Sequence, residues 1–134
     1  MLGQKIISDF GANVTFEGGY SLQDLTWWAK FIGDKQENIR FDAKNAELYF
    51  ESVEFDADVE CLSKFEIKYV HGVKEHDWGQ RVIRLYDPDG HIIEIGEDLG
   101  MVIKRFLKQG MTADQVAEKT MGPLDYIKKL EAEG

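Results

Sequence analysis

In the stretch His91-Ile92-Ile93-Glu94-Ile95 a single carboxylate stands among branched aliphatics. Alternate residues of a strand face opposite sides, and here both sides are apolar. A carboxylate withdrawn from water without a partner costs several kcal/mol. Glu94 must therefore take up a proton, pair with Arg81 or Arg84 on the neighbouring strand, or hold a cation. His71, His76 and His91 are candidates for proton transfer, since imidazole is the usual proton carrier near neutral pH. His76 sits beside Trp78 in Lys74-Glu75-His76-Asp77-Trp78-Gly79-Gln80, a polar loop. Trp78 and the pair Trp27-Trp28 offer flat surfaces that line a pocket or fill a core. Arg81 has the geometry to clamp a substrate carboxylate through two hydrogen bonds, or to neutralise Glu94.

These side chains have to be held by regular elements, and the pattern predicts which. Strands broken by glycines are expected over 4–10, 12–18 and 20–25. "LTWWAKFIG" (25–33) reads as a helical turn or as a lip over a cavity, and 34–45 as loop. "AELYFES" (46–52) alternates, with Ala46, Leu48 and Phe50 on one face and Glu47, Tyr49 and Glu51 on the other. A short helix is expected over Phe55 to Lys64, with Asp56 and Asp58 near its positive end. Cys61, the only cysteine, falls in it and reads as a small buried thiol. Three more strands follow at 65–73, 80–87 and 91–96. The last two are joined by Asp87-Pro88-Asp89-Gly90, where proline sets the first bend and glycine accepts the positive φ at the exit. After Gly100 the pattern is helical. Val102, Ile103, Phe106 and Leu107 form one stripe that stops at Gly110. Thr112 and Gln115 have capping-box spacing, and Gly122-Pro123 separates a last helix. The fold class is α+β.

A chain of 134 residues with one cysteine is sized for a single core without disulfides, which fits a reducing compartment and a cytoplasmic location. No apolar run reaches the ~20 residues that span a bilayer. The net charge of -9 lies almost wholly before Met101; beyond it six basic residues face five acidic ones. An acidic body repels phosphate backbones, so nucleic acid is excluded as a partner. The helix-break-helix tail has too little positive charge to read a DNA groove, and packing across a cleft or against a second subunit is its expected role.

The string "HDWGQRVIRLYDPDGHIIEIGE" resembles the closing strands of the glyoxalase/bleomycin-resistance/extradiol-dioxygenase superfamily, the vicinal oxygen chelate proteins. "AELYFESVEFDADVECLSKF" fits the first strand and helix of that family's second module. The resemblance implies paired βαβββ modules forming a curled mixed sheet around a cleft, over 1–100, with a C-terminal helical extension over 101–134. It implies that the first module is truncated, because the chain begins where that module's strand and helix would have ended. Either the recorded start lies inside a longer natural product, or a partner covers the exposed edge as a homodimer. It further implies metal ligands at Glu94, Glu47 and Gln23, with a fourth position on the absent strand. An oxygen-rich set favours hard divalent ions such as Mn or Mg, with Ni and Zn also found in such sites. A lactoylglutathione-lyase-like enzyme would use Glu94 and Glu47 catalytically, shuttling a proton beside a metal-stabilised enediolate, and a dioxygenase would use the same metal. Trp78, Arg81, Trp28 and His76 would contact the substrate. The alternative within the family is a metal-free protein that sequesters a small drug-like molecule.

Overall fold

Contacts within the chain gather into two units, Met1–Phe41 and Asp42–Gly134. The computed structural model describes residues 3–41 and 43–133; Met1, Leu2, Gly134 and, within the expected 34–45 loop, Asp42 lie outside the described residues.

In the first unit β1 (Ile6–Asp9), β2 (Asn13–Phe16) and β3 (Ser21–Gln23) form an antiparallel meander. Gly11 and Gly19, at φ +74 and +82, make its two turns, where a side chain would be strained. Register places Asn13 opposite Gln23 and Val14 opposite Leu22, so one face is polar and the other apolar. The stretch left open between a helix and a lip is a helix, α1 (Leu25–Phe31). Asp24 decides it: its carboxylate accepts from the backbone N–H groups of Thr26 and Trp27, two donors that a helix start leaves unpaired. A single 3-10 turn at Gln36–Asn38 follows within the expected loop.

The second unit opens with a complete βαβββ module: β4 (Glu47–Ser52), α2 (Phe55–Leu62), β5 (Tyr69–Glu75), β6 (Arg81–Tyr86) and β7 (Ile92–Glu97). Strand order is β4-β7-β6-β5, with β4 parallel to β7 and the other neighbours antiparallel. A parallel pair needs a crossover connection, and α2 begins it. The expected strand at 65–73 starts later and runs further, from Tyr69 to Glu75, with register shifts on either side of His71. The Asp87–Gly90 turn is as expected: Gly90 has φ +86, and its N–H donates to the Asp87 carbonyl at 3.1 Å.

One face of this sheet is covered by α2. Arg81 pairs with Asp56 of α2 and lies over the Phe55 ring, which fixes the face. Alternation puts Ile83, Leu85, Ile93 and Ile95 on the same side, and all four are buried, as are Phe55 and Leu62. The opposite face carries Glu47, Tyr49, Glu94 and Arg84.

Three helices complete the unit: α3 (Leu99–Lys108), α4 (Ala113–Thr120) and α5 (Leu124–Glu133). The boundary expected after Gly100 falls at the start of α3, inside this unit. Val102, Ile103, Phe106, Ala113, Val116, Ile127 and Leu130 form a core among these helices. Leu107, expected on the same stripe, packs at its margin. The Thr112–Gln115 capping box is formed in both directions, at 2.9 and 3.3 Å. Thr112→Ala is expected to lower stability by about 1 kcal/mol in urea titration, because α4 then starts with an unpaired N–H.

Candidate functional site

The polar face of the second sheet is organised by one row of facing residues. Register aligns His71 of β5 with Arg84 of β6, Arg84 with Glu94 of β7, and Glu94 with Tyr49 of β4. Glu47 precedes Tyr49 by two and shares its face. Arg84 is the hub. Its Nε donates to Glu47 Oε2 at 2.9 Å, one terminal nitrogen bonds Glu94 Oε2, and the other lies 3.3 Å from His71 Nε2. His71 Nδ1 is 2.7 Å from the Gly72 carbonyl. A donor is required there, so Nδ1 carries the proton and Nε2 accepts from Arg84.

Glu94 is buried and Glu47 is exposed, and one arginine serves both. Burial pushes the Glu94 carboxyl up, Arg84 opposes this, and the adjacent Glu47 adds to it. The hydrogen bond from Arg84 holds the Glu47 carboxyl below the usual range. The two carboxyls are thus shifted in opposite directions around one guanidinium. The raised group has a thermodynamic signature. Ionised Glu94 costs stability, so wild-type stability falls as pH rises from the ordinary carboxylate range through the raised value. Glu94→Gln removes that slope. Denaturant midpoints measured against pH are expected to show the variant gaining on wild type through that window and holding level above it.

Tyr49, opposite Glu94 in the register, centres a second set of bonds. Its hydroxyl donates to Glu51 Oε1 at 3.1 Å and accepts from Gln80 Nε2 at 3.0 Å. Burial raises the Tyr49 phenol, so it remains a donor. Gln80 also donates to the Glu97 carbonyl and accepts from Trp78 Nε1 at 3.1 Å. Trp78 stacks on His76 with ring centroids 4.2 Å apart. The turn that carries them is closed by His76 N–H to the Gln80 carbonyl and Gly79 N–H to the His76 carbonyl.

The expected site residues therefore divide. Glu47 and Glu94 share the Arg84 cluster. Trp78, stacked on His76, belongs to a second set with Gln80 and Tyr49, which meets the first only where Tyr49 lies opposite Glu94. Arg81 belongs to neither: three residues from Arg84 on a strand, it faces the other side. There it is bidentate to Glu97 and to Asp56, at 2.8–3.2 Å. Neutralising Glu94 thus falls to Arg84, and the fork of Arg81 is already filled by two carboxylates. Gln23, in the first unit, donates to the Ala12 carbonyl and accepts from Asn13. Trp28 lies on α1 with Trp27 and Phe31, all three substantially exposed. His91 pairs with Asp87 at 2.9 Å, ahead of β7. Tyr49 and Gln80 were not singled out from sequence, although Tyr49's place on the Glu47 face was readable from alternation.

A divalent ion does not fit between Glu47 and Glu94 as the side chains stand, because the guanidinium already supplies the positive charge there. Possible ligand atoms do gather elsewhere: Asp87, Asp89 and His91 bring theirs within 4.8 Å of one another at the β6–β7 turn. Asp87 Oδ1 is already engaged by the N–H groups of Asp89 and His91.

A family description for a glyoxalase-like domain matches residues 1–100. The chain belongs to the glyoxalase-like domain family. A protein of unknown function from Agrobacterium tumefaciens strain C58 is 35% identical, with a TM-score of 0.63 over 72% of this chain and 76% of that one. A glyoxalase/bleomycin resistance protein/dioxygenase from Nocardioides is 22% identical, with a TM-score of 0.56 over 72% and 68%. A glyoxalase-related enzyme from Fulvimarina pelagi is 16% identical, with a TM-score of 0.58 over 72% and 71%. At these lower identities the likeness is one of fold. No curated protein matches. The glyoxalase-like match ends at residue 100, so α3–α5 lie almost wholly beyond it. None of the described helices is long and apolar enough to cross a membrane.

Proposed function

We propose that this glyoxalase-like protein binds a small, planar molecule against the polar face of the β4–β7 sheet without a metal. The His76–Trp78 stack offers an aromatic surface, and the His71–Arg84–Glu94–Tyr49 row offers polar contacts. The observation that carries this reading is Arg84 bridging Glu47 and Glu94: the two carboxylates are satisfied by an internal cation. The test is equilibrium dialysis with a panel of planar aromatic compounds, with and without chelator, alongside elemental analysis of the dialysed protein. Binding that ignores chelator, in protein free of stoichiometric metal, is the expected result. A retained ion, or binding lost with chelator, overturns it.

The competing reading is a metal-dependent lyase of lactoylglutathione-lyase type. In its favour, Glu47 and Glu94 converge on a single point of the sheet. It requires Arg84 to leave both and further donors to join them. A homodimer is part of the proposal, supported by the exposure of Ile7, Phe10, Leu22 and Phe31, too many large apolar side chains in one small unit to remain in water. Light scattering at micromolar concentration is expected to give twice the chain mass; a monomer rejects it.

A further inference from the structure

We infer that the C-terminal helices set the position of Trp78, with Arg105 and Phe106 as positioning residues for the aromatic side of the site. Three contacts from these helices converge on the short turn between β5 and β6. Arg105 Nη2 donates to the Gly79 carbonyl at 2.5 Å and to Glu97 Oε2 at 3.1 Å. The Phe106 ring lies so close over Gly79 that a Cβ there would stand 2.2 Å from its Cζ. Lys119 of α4 reaches the Asp77 carbonyl at 3.4 Å and also lies over the Phe106 ring. Gly79 is buried at φ +88, a conformation and a clearance that only glycine meets.

Pinning this backbone has a direct consequence for the polar face. Trp78 immediately precedes Gly79, and its indole N–H is bonded to Gln80, which immediately follows. Gln80 in turn donates to the Tyr49 hydroxyl, opposite Glu94. A hairpin turn of this length would otherwise sample several conformations, since its side chains are only partly buried. Two of the three helices, α3 and α4, thus act on the ligand face through one turn, from a segment that lies almost wholly beyond the matched residues 1–100. The inference rests on the binding reading only in giving Trp78 a ligand to meet.

The experiment uses the full chain with Trp27→Phe and Trp28→Phe, leaving Trp78 as the sole indole. Arg105→Met removes both donors, Phe106→Leu removes the ring, and Arg105→Lys keeps a cation for Glu97 and a donor for Gly79. All are compared at temperatures where circular dichroism reports a full native signal. Arg105→Met and Phe106→Leu are expected to raise acrylamide quenching of Trp78 about twofold and to shift or broaden its indole N–H resonance, through local opening of the turn. Arg105→Lys should recover most of the wild-type signal, which a general loss of stability would not do. Should Arg105→Met fail to fold, Phe106→Leu carries the test. An unmoved Trp78 in the folded variants overturns the inference whether or not a ligand binds. Dialysis that finds no ligand overturns the binding reading and leaves this one standing.

Discussion

Glu97→Ala is expected to destabilise the second unit by about 3 kcal/mol, read as a lowered urea midpoint with an unchanged slope. Glu97 is buried at the end of β7, where burial alone would raise its carboxyl. Arg81 and Arg105 overcome this, and the group is held below the usual carboxylate range. Its two oxygens accept three bonds, two from Arg81 and one from Arg105, at 2.9–3.1 Å. The acid therefore joins α2, through Arg81 and Asp56, to α3, through Arg105. Removing it leaves two guanidiniums short of a partner at the junction of sheet and helices. Each keeps a weaker, more exposed contact, Arg81 with Asp56 and Arg105 with Glu75 at 3.7 Å. That residual pairing sets the figure at the lower end of what a broken buried ion pair costs.

The sign with pH follows from the lowered carboxyl. Its contribution is fully present above the ordinary glutamate range and is lost as pH falls through the depressed value. The gap between wild type and Glu97→Ala should therefore narrow in acid. Glu94 runs the opposite way, so the two acids of one strand can be told apart by titrating stability alone.

Glu94 and Glu97 also show how far residue patterns carried the reading. Strand alternation put Glu47, Tyr49 and Glu51 on one face and identified the lone acid of β7 as a group in need of a partner. Both follow from period and burial, which are local. The Asp87–Gly90 turn and the Thr112 cap were readable for the same reason: their chemistry lies within four residues. What alternation alone left open was the choice between Arg81 and Arg84. The two differ by three positions, hence by face, but the register that aligns Arg84 with Glu94 is set by the hairpin. Glu97 is not legible in the same way, because the residue pattern ends the strand near Gly96. Its partners come from α2 and α3, elements distant in sequence, and no spacing rule ties them together. The grip of Phe106 on Gly79 was hidden likewise. A glycine in a polar loop gives no sign that a helix twenty-seven residues later rests on it.

Arg84→Ala tests the character of the polar face most severely. Without the guanidinium, Glu47 and Glu94 face each other with no cation, and one must hold a proton for both to stay. A loss of about 3 kcal/mol is expected at neutral pH, shrinking in acid as both carboxyls protonate. The same substitution creates what wild type lacks: two carboxylates with His71 in the same row and an acceptor nitrogen no longer engaged by Arg84. Mn²⁺ or Zn²⁺ should then rescue the variant, since an ion that binds only the folded state adds about 2.7 kcal/mol at a hundred times its dissociation constant. Wild type should show no such shift, because its arginine already holds the position. The decisive comparison is the urea midpoint of both proteins across a metal titration. If wild type is stabilised by the ion and Arg84→Ala is not, the arginine serves the metal rather than replacing it, and the metal-free reading of this face is wrong.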